Sequence, residues 1–87
     1  MAAKIEIYTS PFCGYCHAAK RLLSTKNAGF VEIDVSRNPE LRGAMMDRAN
    51  GRHTVPQIFI DDQHVGGCDD LFDLERRGTL DTLLAQT

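Results

Sequence analysis

The sequence predicts an α/β domain, a four-stranded mixed sheet flanked by helices on both faces, and three observations predict it. Short β-rich runs alternate with stretches of helical spacing in the order β-α-β-α-β-β-α, with one further short helix at the end. A helix-length segment separates the first two strands, which makes them parallel and joined right-handedly. A tight turn separates the last two, which makes them an antiparallel hairpin.

The first strand runs from Lys4 to Tyr8, where apolar and polar residues alternate, and Thr9-Ser10-Pro11-Phe12 forms the turn after it. A helix follows from Tyr15 to about Asn27. Ala18, Ala19, Leu22 and Leu23 give it an apolar stripe, and Lys20, Arg21 and Lys26 face water. Asn27-Ala28-Gly29 is its exit, and Phe30 to Val35 is the second strand. Asn38 caps the next helix, with Pro39 at its first position. That helix reaches about Ala49 and turns Leu41, Met45 and Met46 inward, with Ala44 and Ala49 also covered. At this spacing the methionines read as core filling. Asn50-Gly51 ends the helix. Thr54 to Ile60 is a third strand introduced by a proline, Asp61-Asp62-Gln63 a turn, and His64-Val65-Gly66 a short fourth strand. A helix then runs from the Gly67-Cys68 region to about Arg77, capped by Asp69 or Asp70 and stopped by Gly78. The last helix starts at Thr79 and carries Leu80, Leu83 and Leu84. This order of elements is that of the thioredoxin fold.

Cys13-Gly14-Tyr15-Cys16 falls where the first strand hands over to the first helix. A thiol there feels unpaired backbone N–H groups and the positive end of the helix dipole, and both favour the reactive thiolate. Cys13 is then the exposed nucleophile. Cys16, one turn in, is shielded and placed to attack a disulfide formed on Cys13. A Cys-x-x-Cys beside a βαβ pattern is a thioredoxin-like redox signature. The competing reading is half of a zinc site completed by His17, His53, His64 or Cys68, but no second closely spaced ligand pair supports it. His17 points to solvent, and the helix dipole leaves little need for it as a base.

Composition bounds the rest. Eighty-seven residues make one domain, 1–87, and 43% hydrophobic with 25% charged residues is ordinary for a soluble protein. A formal net charge of -2 leaves no global basic field for nucleic acid or membrane. No apolar run approaches membrane-spanning length, and the N-terminus has no apolar leader segment. Three cysteines, two of them in one motif, suit chemistry in a reducing compartment better than a disulfide scaffold, so the cytosol is the expected location.

Three stretches in order, Cys13-Gly14-Tyr15-Cys16, Thr54-Val55-Pro56-Gln57-Ile58-Phe59-Ile60 and Gly66-Gly67-Cys68-Asp69-Asp70-Leu71, closely resemble a glutaredoxin of the small bacterial dithiol type. The resemblance spans nearly the whole chain. It implies glutathione-dependent reduction of protein–glutathione mixed disulfides and of disulfides, with no metal or organic redox cofactor needed, and so a role in electron transport and cell redox homeostasis. It implies that Pro56 is cis and faces Cys13, leaving the Val55 N–H and C=O free to pair with an extended ligand alongside Thr54. It assigns the γ-glutamyl end of glutathione to Gly66, Gly67, Cys68 and Asp69: glycines admit the ligand, and the helix start offers N–H groups to its carboxylate. Asp69 or Asp70 takes the ammonium, and Tyr15 packs on the cysteinyl part. Cys68 otherwise reads as a small residue packed at a helix start.

The sequence departs from the family pattern twice. Many relatives carry a lysine where Ser10 stands, so the glycyl carboxylate needs another cation. Arg42 matches an arginine that relatives use for it, with Lys20 and Arg52 as substitutes. Gly14 stands where proline is commonest. Some relatives without that proline hold a [2Fe–2S] cluster between two subunits through the nucleophilic cysteines and two glutathiones. The same resemblance therefore carries a second expectation beside the enzyme: a monomer, or a dimer bridged by a cluster on Cys13.

Overall fold

The computed structural model describes residues 3–85. Strands β1 (Ile5–Thr9), β2 (Val31–Asp34), β3 (Gln57–Ile60) and β4 (Gln63–Gly66) form one sheet in the order β2-β1-β3-β4. The β1–β2 pair is parallel, and the β1–β3 and β3–β4 pairs are antiparallel. Helices α1 (Gly14–Thr25), α2 (Pro39–Arg48), α3 (Cys68–Arg76) and α4 (Thr79–Leu84) complete the expected thioredoxin fold.

Strand alternation divides the interior into two cores. Ile5 and Ile7 of β1, with Ile58 and Ile60 of β3, face Ala19 and Leu23 of α1, Leu71 of α3 and Leu80 of α4. The opposite face carries Tyr8 and Phe59, covered by Met45 and Ala49 of α2. Each fully buried leucine or isoleucine contributes about 1.5–3 kcal/mol of transfer free energy. Arg48 of α2 lies over Phe59, 4.0 Å from the ring centroid, and bonds Glu6 at 2.9 Å and the Tyr8 hydroxyl at 2.8 Å. α2 is thus held as much by this guanidinium as by apolar contact.

Several boundaries and faces differ from the sequence reading. Leu41 and Ala44 are exposed, because α2 meets the sheet only through its later turns, at Met45 and Ala49. Lys26 does not face open water: its ammonium sits 2.8 Å from Glu75 and 2.9 Å from Asp81, tying the end of α1 to α3 and α4. Within the expected exit, Asn27-Ala28-Gly29, the left-handed residue is Asn27 (φ 55). The third strand starts at Gln57 rather than Thr54. The hairpin turn is Asp61-Asp62 alone, with φ of 51 and 67 as a type I′ turn requires, and Gln63 already belongs to β4. Neither Asp69 nor Asp70 is the N-cap of α3. That position is Gly67, and Asp70, three residues on, reaches back to its N–H.

Candidate active site

Cys13 is the N-cap of α1, with extended backbone (φ -118, ψ 105), and its Sγ accepts the Cys16 N–H at 3.1 Å. A sulfur here takes the place of the serine oxygen of an ordinary helix cap, so one orphan amide of the first turn points at it. Cys13 is partly exposed, and its thiol reaches the Val55 carbonyl at 3.6 Å. That carbonyl is therefore not free, as expected, but turned to the cysteine, while the Val55 N–H has no partner among the described residues. Cys16 has none of its surface exposed, and burial, helped by its contact with Cys13, pushes its thiol up to about 12. The motif thus separates a reachable sulfur from one that stays protonated behind it. His17 Nε2 donates to the Pro11 carbonyl at 3.3 Å and braces the loop rather than approaching Cys13.

The other wall is the segment before β3. The Val55–Pro56 peptide bond is cis. A cleft of about 280 Å³ runs from Tyr15 past Thr54, Val55 and Pro56 to Gly67, Cys68, Asp69 and Asp70. Tyr15 stands at its rim, 69% exposed. Cys68 is nearly buried, and burial raises its thiol above the ordinary value. Asp70 Oδ2 accepts from the Gly67 N–H at 2.9 Å and from Arg52 Nη1 at 3.2 Å, and these bonds hold its carboxyl below the usual carboxylate range. Gly66 makes that arrangement possible: its φ is +120, and a Cβ there would overlap Asp70 Oδ2 and lie 3.0 Å from Arg52 Nη1. A Cβ on Gly67 would sit 3.4 Å from the Pro56 carbonyl, inside the cleft. The Asp69 carboxylate has no hydrogen bond or ion pair among the described residues.

The structure thus brings Tyr15, Thr54, Val55, Pro56, Gly67, Cys68, Asp69 and Asp70 to one cleft, but not Arg42. Arg42 Nη1 donates to the His53 carbonyl at 2.6 Å, outside the cleft wall. Lys20 is paired with Glu32 at 2.9 Å. Of the three cations considered for a ligand carboxylate, only Arg52 lines the cleft. Two features escaped the sequence reading. Phe12, beside Cys13, is fully exposed, and Gln57 is fully buried and bonded to Thr54 and His64. A carboxamide opening the apolar run Ile58-Phe59-Ile60 was the available signal for the second. Among the described residues no three His, Cys, Asp or Glu side chains converge as a metal site.

A thioredoxin fold with a cysteine capping its first helix opposite a cis-proline defines a class, the thiol–disulfide oxidoreductases. Comparison with known proteins narrows it. The Glutaredoxin family model matches residues 5–65. The chain is 56% identical to Glutaredoxin 3 of Escherichia coli over 82 residues, which is 94% of this chain and 98% of that protein. It superimposes on the solution structure of a Brucella melitensis glutaredoxin with a TM-score of 0.83 at 57% identity, over 95% of this chain and 89% of the other. The buckwheat glutaredoxin–glutathione complex matches with a TM-score of 0.85 at 28% identity, over 94% and 76% of the two chains. The chain belongs to the glutaredoxin family and is a glutathione-dependent oxidoreductase.

Proposed function

We propose that the chain, acting as one domain over residues 1–87, reduces protein–glutathione mixed disulfides and disulfides, with Cys13 as nucleophile and Cys16 as resolving thiol. The observation that carries this reading is the sulfur pair: Cys13 reachable at the cleft edge with an amide aimed at it, and Cys16 wholly buried one turn behind. The Cys13 thiolate attacks the glutathione sulfur of a mixed disulfide. The protein sulfur leaves as thiolate and takes a proton from solvent. A second glutathione thiolate then attacks the glutathione sulfur on Cys13, releasing glutathione disulfide and regenerating the Cys13 thiolate. Alternatively Cys16, once deprotonated, attacks Cys13 and expels glutathione.

The cleft supplies complementary charge for a tripeptide with two carboxylates and one ammonium. The unpartnered Asp69 suits the ammonium, and the N-terminal amides of α3 suit the γ-glutamyl carboxylate. The Val55 N–H pairs with the ligand backbone, and Tyr15 covers the cysteinyl part. Arg52 suits the glycyl carboxylate, since a guanidinium bonded to Asp70 through Nη1 keeps further donors. That a buckwheat glutaredoxin was solved in complex with glutathione supports glutathione as the ligand. The reaction suits the reducing cytosol and a monomer whose partners are glutathione and glutathionylated or disulfide-bonded proteins. Turnover of a small glutathione mixed disulfide, coupled to glutathione reductase and NADPH, tests it; no turnover would overturn it.

The residues of one chain do not fit a [2Fe–2S] cluster by themselves. Cys13 is the one cysteine that is not buried, and no ligand set surrounds it among the described residues.

A further inference from the structure

Gln57 opens β3 on the sheet face that carries Phe59, and none of its surface is exposed. A carboxamide in such a place is costly unless all its bonds are made. Here they are. Its Nε2 donates to the Thr54 carbonyl at 3.0 Å and to Thr54 Oγ1 at 3.3 Å. Its Oε1 accepts from His64 Nε2 at 2.6 Å. The His64 ring is itself stacked on Phe59, centroids 5.0 Å apart and planes at 29°. The amide has two possible orientations, and the imidazole N–H selects the one that aims the NH₂ at Thr54. Thr54 is joined directly to Val55, whose carbonyl meets the Cys13 sulfur at 3.6 Å, and both residues wall the cleft.

We propose that Gln57 and His64 are positioning residues for glutathione: His64 sets the Gln57 amide, and Gln57 holds the Thr54–Val55 backbone where a bound glutathione pairs with it. This rests on the glutathione reading of the cleft. It explains why a fully buried carboxamide is paired with a half-buried imidazole across the hairpin, and it gives His64 of β4 a role in a site it does not line.

The test uses the Cys16→Ser protein, in which a mixed disulfide on Cys13 cannot collapse into Cys13–Cys16. Equilibrium constants for that mixed disulfide are measured by mass spectrometry in a glutathione redox buffer and in a 2-mercaptoethanol redox buffer. Mercaptoethanol has no peptide backbone to pair, so it reports the sulfur alone. Adding His64→Phe keeps the ring stack and removes the donor. It should weaken the glutathione mixed disulfide about 5–10-fold and leave the mercaptoethanol one within about twofold. His64→Gln, whose amide can donate to Gln57, should restore the glutathione value to within about twofold of the parent. Gln57→Met, which has no donor for Thr54, should show at least the His64→Phe loss and decides the matter if His64→Phe does not fold. Equal loss with both thiols, no loss with His64→Phe or Gln57→Met, or no rescue by His64→Gln would overturn the positioning role. A parent that holds glutathione no better than mercaptoethanol would overturn the glutathione reading of the cleft, and this inference with it.

Discussion

Cys13 and Cys16 are joined by a helix cap: the sulfur of the first accepts the backbone N–H of the second at 3.1 Å. The proposed nucleophile is therefore also a structural residue, and substitutions can separate the two duties. Cys13→Ser keeps a good cap in the same place and loses the thiolate. Activity on a glutathione mixed disulfide should vanish, with unfolding free energy within about 0.5 kcal/mol of the parent. Cys13→Ala should be equally inactive and about 0.5–2 kcal/mol less stable. Urea unfolding beside the coupled assay checks both, and a Ser variant as unstable as the Ala variant would mean that the cap contributes nothing.

Gly66→Ala tests the other half of the site. The added methyl meets Asp70 Oδ2 and Arg52 Nη1 at a residue whose φ is +120. Either the backbone rotates or Asp70 lets go of the Gly67 N–H. Stability should fall by about 1–3 kcal/mol from strain and the lost cap. The Michaelis constant for the mixed disulfide should rise as well, because Gly67, Asp69 and Asp70 share one helix start. Unchanged stability would show that the Asp70 carboxylate has another place to go.

Which parts of this were legible in the sequence follows from how local each cause is. The helix start at Cys13, the hairpin at Asp61-Asp62 and the order of elements depend on neighbouring residues, and patterning recovers them. The cap of α3 was misjudged because Asp70 caps from inside the helix, and only the left-handed Gly66 allows it to reach back. The placing of Arg52 rather than Arg42 beside the cleft depends on how the loop after α2 folds onto α3. The burial of Gln57 depends on its partner His64 across a hairpin. None of these long-range pairings leaves a periodic trace. The shared-charge logic for a tripeptide ligand was legible, but its cations and carboxylates acquire partners only in the fold.

Arg52→Ala and Arg42→Ala should therefore differ. Arg52 lines the cleft, while Arg42 lies outside its lining residues and bonds the His53 carbonyl. Loss of Arg52 should raise the Michaelis constant for glutathione about 3–10-fold with little change in kcat. Its ion pair with Asp70 is about half exposed, so stability should move by less than about 1 kcal/mol. Loss of Arg42 should leave the Michaelis constant within about twofold. The reverse ranking in steady-state kinetics would assign the glycyl carboxylate to Arg42.

Acid should destabilise the protein in two separate windows. Burial holds the His64 imidazole below its ordinary value of 6.5, opposed by Asp70 and reinforced by Arg52. The unfolded chain then takes up the proton first, so this contribution is complete above about pH 6.5 and is lost as the pH falls towards the folded value. Glu32, held down by the Thr9 hydroxyl and then Lys20, and Asp70, held down by the Gly67 N–H and then Arg52, act lower. Their contributions are present above their ordinary values of 4.5 and 3.8 and fade below them. Thermal midpoints measured from pH 8 to 3 should show both steps, and His64→Phe should remove only the upper one. An upper step that survives in that variant would assign it to another group.

Cys16→Ser separates two tasks of the motif. In the proposed mechanism, removing glutathione from a protein needs only Cys13 and a second glutathione. Reducing an internal disulfide by the dithiol route needs Cys16, because it must attack the Cys13–substrate bond from within, and its proximity makes that attack effectively unimolecular. The Cys16 thiol is pushed up to about 12 by burial, so at pH 7 little of it is ionised in the free enzyme. Free glutathione, with an ordinary thiol near 8.5, supplies thiolate more readily. The Ser variant should therefore keep or raise its rate of deglutathionylation, since diversion into Cys13–Cys16 is closed, and lose most activity on an internal protein disulfide. In the parent, the internal attack should keep rising with pH beyond the range where the glutathione-dependent step levels off, because burial of Cys16 remains after Cys13 is in disulfide form. Stopped-flow measurements on a preformed Cys13–glutathione disulfide, with and without added glutathione, resolve the two. If both activities of Cys16→Ser collapse together, the Cys16 side chain is needed to activate Cys13 or to hold the shape of the site, and the single-thiol route is wrong.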